Sequence, residues 1–138
     1  MQNYITLSVK GTEYKLKATT QAKIEAENQL GFSLGEAFQK SYLYKVISVV
    51  LWASLQALNH GIALKDVYTM IDDMEADGFT LDGKEYDSFG LEEKGLLVYE
   101  ILKVSGFFTK AQIAEFDREI QGQIDNQTKT KTKPDKES

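Results

Sequence analysis

Asp73, Glu75 and Asp77, followed by Gly78, have the opening spacing of a calcium-binding EF-hand loop. Such a loop takes ligands from its first, third and fifth positions and needs glycine at the sixth for a sharp turn. Its twelfth position here is Lys84, where a bidentate carboxylate should close the coordination sphere; Glu85 lies one residue too far on. A loop of fixed geometry cannot slide its last ligand along the chain, so calcium is not expected.

Residue types remove other chemistries. The 138 residues include no cysteine and a single histidine, His60. Disulfides, thiolate nucleophiles, the usual zinc sites and two-histidine metal motifs are therefore excluded. One histidine at a helix end does not support a Ser–His–Asp arrangement. No phosphate-cradling glycine loop with its Lys-Ser/Thr pair is present. Asp72-Asp73 and Glu92-Glu93 are sequence neighbours, so on a helix their carboxylates diverge. No enzymatic activity, cofactor or metal is expected. A net charge of −5 lacks the basic face that nucleic acid requires. The greasiest segment, Val46 to Leu58, is interrupted by Ser48, Ser54 and Gln56 and is too short to span a bilayer. The N-terminus has no signal-like basic and apolar regions, so a cytoplasmic protein without a membrane partner is expected.

The elements that position these residues follow from periodicity. Ile5, Leu7 and Val9 alternate with Thr6 and Ser8, and Tyr14 and Leu16 repeat the spacing after Gly11, which predicts a hairpin over 4–17. Helix is expected from Thr20 to a stop at Gly31. Ser33 and Glu36 then form a capping box, with Phe32 placed to staple on Ala37. "SYLYKVISVVLWASLQALNHG" reads as a central helix of about five turns, apolar nearly all round, with His60 in its last turn at the negative end of the dipole.

"LKDVYTMIDDMEADG" turns Leu64, Val67, Met70, Ile71 and Met74 inward, which makes Gly78 a helix cap and places the acidic residues toward solvent. "FTLDGKEY" suggests a second short hairpin turning at Asp82-Gly83. "LEEKGLLVYEILKVSG" carries Leu97, Val98, Ile101, Leu102 and Val104 inward. Thr109 and Gln112 form another capping box, with Phe108 placed to staple on Ile113. A last helix shows Ile113, Phe116, Ile120 and Ile124 as a narrow stripe, suited to a bundle edge or another chain. From Asp125 no apolar residue remains, and a disordered polar tail is expected over 125–138.

The fold expected is mainly α (α+β): an N-terminal hairpin packed on a compact bundle of about five to six helices. It forms one globular domain over 1–124, with the helical body at 20–124.

The order of these elements resembles a known family. A hairpin "ITLSVKGTEYKL" leads to a helix ending "NQLGFSLGEAF", a greasy helix ending "ALNHG", the acidic helix "LKDVYTMIDDM" and a helix closing on "SGFF". This layout, over residues 4–108, resembles the tail assembly chaperones of long-tailed phages and prophages of Gram-positive bacteria. The resemblance implies a binding protein of the host cytoplasm, absent from the finished virion. It implies as partners the tape measure protein, further copies of the chain and the tail tube protein. Apolar candidates for client contact or self-association are Val46, Val49, Val50, Trp52, Phe107, Phe108, Phe116 and Ile120. Ile5, Leu7 and Val9 are expected on an edge strand through which copies could join. The alternatives from other classes are a structural virion component, such as a head–tail connector or tail-completion protein, and an acidic regulatory protein.

Overall fold

In the computed structural model, which describes residues 3–122, the alternating N-terminal residues form β1 (Ile5–Val9) and β2 (Thr12–Leu16). They pair antiparallel, Ile5 opposite Leu16 and Val9 opposite Thr12, around a turn in which Lys10 and Gly11 both take positive φ. Ile5, Leu7, Val9 and Leu16 are buried, while Thr6, Ser8, Glu13 and Lys15 face the other way.

The second hairpin is present, with β3 (Phe79–Leu81) and β4 (Lys84–Tyr86) joined at Asp82-Gly83. It does not stand apart. β3 pairs antiparallel with β1, Leu7 opposite Leu81 and Ser8 opposite Thr80, giving one four-stranded sheet of order β2-β1-β3-β4. Asp82 extends that seam: its N–H donates to Thr6 O (2.8 Å), and its carboxylate accepts from Thr6 N–H (3.2 Å). Ile5, Leu7 and Val9 therefore lie on an interior strand, which corrects the expected edge position. The edges are β2 and β4.

Four helices complete the hairpins' surroundings before the last long one. They are α1 (Thr20–Leu30), α2 (Leu34–Gln39), α3 (Tyr44–Leu55) and α4 (Leu64–Asp77), followed by α5 (Leu91–Val104). Gly31 ends α1 in the left-handed region at φ 82°. Ser33 Oγ caps α2 by accepting from Glu36 N–H (3.1 Å), but the Glu36 carboxylate turns to Lys40 (2.8 Å), so only half of the expected box forms.

α3 is central, packing against α1, α4, α5 and β2. It stops at Leu55, five residues before His60, which periodicity places in its last turn. Gln56 Nε2 donates to Trp52 O (2.8 Å) and Asn59 Nδ2 to Leu55 O (3.0 Å), so side chains take carbonyls that a continuing helix would need. His60 is consequently outside the helix, exposed in the following bend.

Ser105, buried at the end of α5, ties that end to the strand–helix connection. Its Oγ accepts from Ala18 N–H (2.9 Å), and its carbonyl accepts from Lys23 Nζ. Ser105→Ala would leave a buried N–H without a partner, and about 1–3 kcal/mol of destabilisation is expected in a urea titration.

The described residues divide into two units, one ending at Phe107 and a second beginning at Phe108. The division follows Gly106, which takes φ 79° just beyond α5. In the second unit the described residues form α6 (110–122). Its capping box is complete: Thr109 Oγ1 accepts from Gln112 N–H (3.1 Å), and Gln112 Oε1 from Thr109 N–H (2.9 Å). Phe108 meets Phe116 edge-on, with centroids 5.3 Å apart. Residues 125–138, where a disordered tail is expected, lie outside the described residues, as does Ile124.

Candidate functional site

Between α3 and α4 runs a groove of about 380 Å³. Ser48, Val49 and Ile71 form its floor, and Tyr44 and Tyr68 stand at its sides with Lys45 and Asp72. The spacing of the two helices explains its character. Tyr44 and Ser48 are one turn apart on α3, as are Tyr68 and Asp72 on α4, so each helix contributes one continuous ridge. Tyr44 is 60% exposed and Tyr68 51%. Tyr42 and Leu43, also exposed, directly precede α3. Exposed tyrosines flanking an apolar floor are suited to contact with another chain, each offering a broad apolar ring and one hydrogen-bonding group.

Tyr44 also belongs to a polar cluster beneath the groove's end. Its hydroxyl donates to Glu75 Oε2 (2.7 Å), and the same oxygen accepts from Lys94 Nζ (2.9 Å). Lys94 also donates to Phe89 O (2.6 Å), and its ammonium lies 4.7 Å from the Phe89 ring centroid and 5.0 Å from that of Tyr44. Lys94 is 4% exposed. A lysine this deep requires paired charge and hydrogen bonds, and all of these are supplied.

The Tyr44 hydroxyl first, and then Lys94, hold the Glu75 carboxyl below its ordinary range. The same bond pushes the Tyr44 phenol above its ordinary value. With its donors directed at a carboxylate and a carbonyl, the ammonium serves to hold α4, α5 and the start of α3 together.

Lys94 was not singled out by sequence reasoning, although a signal was present. It lies three, four and seven residues before Leu97, Val98 and Ile101, on the same inward face of α5. A lysine at a core position of an apolar stripe calls for an acceptor within its reach, and Glu75, which supplies one, is distant in sequence.

The other candidates are dispersed. Val46, Val49 and Val50 are buried, with Val49 reaching the groove floor, and Trp52 is half-buried. Phe107 is 37% exposed at the end of the first unit. Phe108, Phe116 and Ile120 are half-buried in the second unit. The groove thus contains one of the eight apolar candidates, while its tyrosines escaped notice because they fall outside the aliphatic pattern.

The calcium-like residues do not converge. Asp73 pairs with Lys10 (3.2 Å), Glu75 with Lys94, and Asp77 is exposed at the end of α4. Among the described residues no group of three or more His, Cys, Asp or Glu side chains could hold a metal ion. No helix among them is long and apolar enough to cross a membrane. No protein-family model, curated protein or solved structure matches the chain.

Proposed function

We propose that this chain is a tail assembly chaperone of a long-tailed phage or prophage of Gram-positive bacteria. It binds the tape measure protein, keeps that long helical client soluble and associates with further copies of itself while the tail tube protein assembles. It acts in the host cytoplasm, without catalysis or cofactor, and leaves before the virion is finished.

The observation that carries this reading is the sequence layout over residues 4–108, which coincides with the unit ending at Phe107. The groove between α3 and α4 supports it as the client site. An apolar floor between two tyrosines accepts one apolar face of an amphipathic helix, and Lys45 and Asp72 can meet charges of either sign at its sides.

Co-expression with the long helical protein encoded just downstream tests the proposal. The client is expected to become soluble and to elute with several copies of this chain. Tyr68→Asp is expected to abolish co-elution while leaving the melting temperature unchanged, because Tyr68 is exposed and outside the Lys94 cluster. A client that stays insoluble with this chain, and with any longer form of it, would overturn the reading. Recovery of the chain from purified virions by mass spectrometry would instead favour a structural component.

A further inference from the structure

We propose that the outer edge of β2 is a docking strand for β2 of a second copy of this chain, and that the Asn59 side chain holds it closed. This gives the self-association above a route, but it rests on the edge alone and does not depend on the client.

The pairing of β1 with β2 leaves the backbone groups of Glu13 and Lys15 pointing away from β1, since opposed residues alternate along an antiparallel ladder. Asn59 occupies the Lys15 position. Its Oδ1 accepts from Lys15 N–H (3.3 Å), and its Nδ2 donates to Lys15 O (2.7 Å). One side-chain amide thus reproduces the acceptor and donor that a neighbouring strand would present. The remaining cover is Ser54 O, which accepts from Lys17 N–H (2.9 Å). Glu13 is exposed beside this plug.

The segment carrying Asn59 is suited to moving aside. Ala57, Leu58, His60 and Gly61 are exposed, and Gly61 takes φ 68° with open space around its Cα. Withdrawing Asn59 frees Lys15 without disturbing the Lys17–Ser54 bond.

The freed edge is complementary to itself. Two copies of β2 related by a two-fold axis run antiparallel, and their outward groups meet only when odd-numbered residues oppose odd-numbered ones. Centring the pair on Tyr14 places Glu13 of each copy opposite Lys15 of the other, giving two opposite-charge pairs and four backbone hydrogen bonds. It also sets the two half-buried Tyr14 rings side by side. Centring on Lys15 instead opposes two lysines, so charge selects the first register. The product is a continuous sheet of twice the width, with β1 interior in both halves.

Light scattering on the full chain, coupled to sizing, tests this. Asn59→Ala is expected to dimerise at concentrations at least about tenfold lower than the native chain does. Adding Glu13→Lys, which brings like charges together, should return it to monomer. Asn59→Asp has the same shape and keeps the bond from Lys15 N–H but repels Lys15 O, so it should also dimerise more readily than the native chain. A folded Asn59→Ala with the native mass at every concentration overturns the proposal, as does dimerisation indifferent to Glu13→Lys. If neither Asn59 variant folds, hydrogen exchange in the native chain decides. Protection of the Glu13 amide must rise with concentration, and a flat profile overturns the proposal. Client capture is read separately, so either result leaves the chaperone reading open to its own test.

Discussion

Gly78→Ala is expected to cost about 4 kcal/mol or more, lowering the melting temperature by roughly 15–20 °C. α4 ends at Asp77 and β3 begins at Phe79, so a single residue turns the chain from helix to strand. Gly78 does this at φ 80° and ψ −167°, a region essentially closed to residues with a side chain. Space is also lacking. A Cβ there would lie 2.2 Å from Tyr86 O and 2.9 Å from Asp87 Cα, both backbone atoms of the segment that carries β4. No side chain can rotate away to relieve that overlap; the β3–β4 hairpin must shift instead, straining the stacked Phe79 and Tyr86 rings (4.9 Å). Gly83→Ala is the control. Its φ is 84°, but a Cβ would meet nothing within 4 Å, so only the left-handed strain of about 1 kcal/mol is expected. Equal losses for the two variants in thermal melts would contradict the close-approach argument.

Gly78 also marks where local patterns were sufficient and where they were not. As the stop of an amphipathic helix it was legible, because Val67, Met70, Ile71 and Met74 fix the inward face and the glycine follows it. The Asp82-Gly83 turn was legible for the same local reason. The joining of the two hairpins was not. β3 and β4 are three residues each, too short for alternation to show a partner, and β1 meets β3 only after four intervening helices. An interior strand with one polar face therefore looked like an edge. The end of α3 was overestimated for a different reason: Leu58 keeps the helical period, but the side chains of Gln56 and Asn59 bond to backbone carbonyls of the last turn. The N-termini of α4 and α5 carry the carboxylate half of a capping box, which was also missed. Asp66 and Glu93 reach back to the N–H groups of Ala63 (2.8 Å) and Gly90 (2.7 Å), residues with no side-chain oxygen to draw attention to a cap.

Lys94→Ala is expected to cost about 2–3 kcal/mol, because it removes a buried ammonium that pairs with the partly exposed Glu75 carboxylate, and the packing of a long side chain as well. The Phe89 carbonyl would lose its donor, and the Phe89 and Tyr44 rings would lose the cation between them. Lys94→Met should recover part of that loss, since its chain fills the space between the rings without requiring a counter-charge. Glu75→Gln tests the other side and adds a pH signature. The hydrogen bonds from Tyr44 and Lys94 hold the folded-state carboxyl of Glu75 below the ordinary carboxylate range. Its ionised form therefore adds stability that is fully present above the unfolded-state pKa and lost as pH falls through the lower folded-state value. Urea titrations of the native chain and Glu75→Gln should differ at neutral pH and converge in acid. Tyr44→Phe removes the donor that does most to hold the carboxyl down, so it should move that convergence to higher pH. A gap between the native chain and Glu75→Gln that is constant from neutral pH into acid would mean that the carboxylate charge does not hold Lys94 in place.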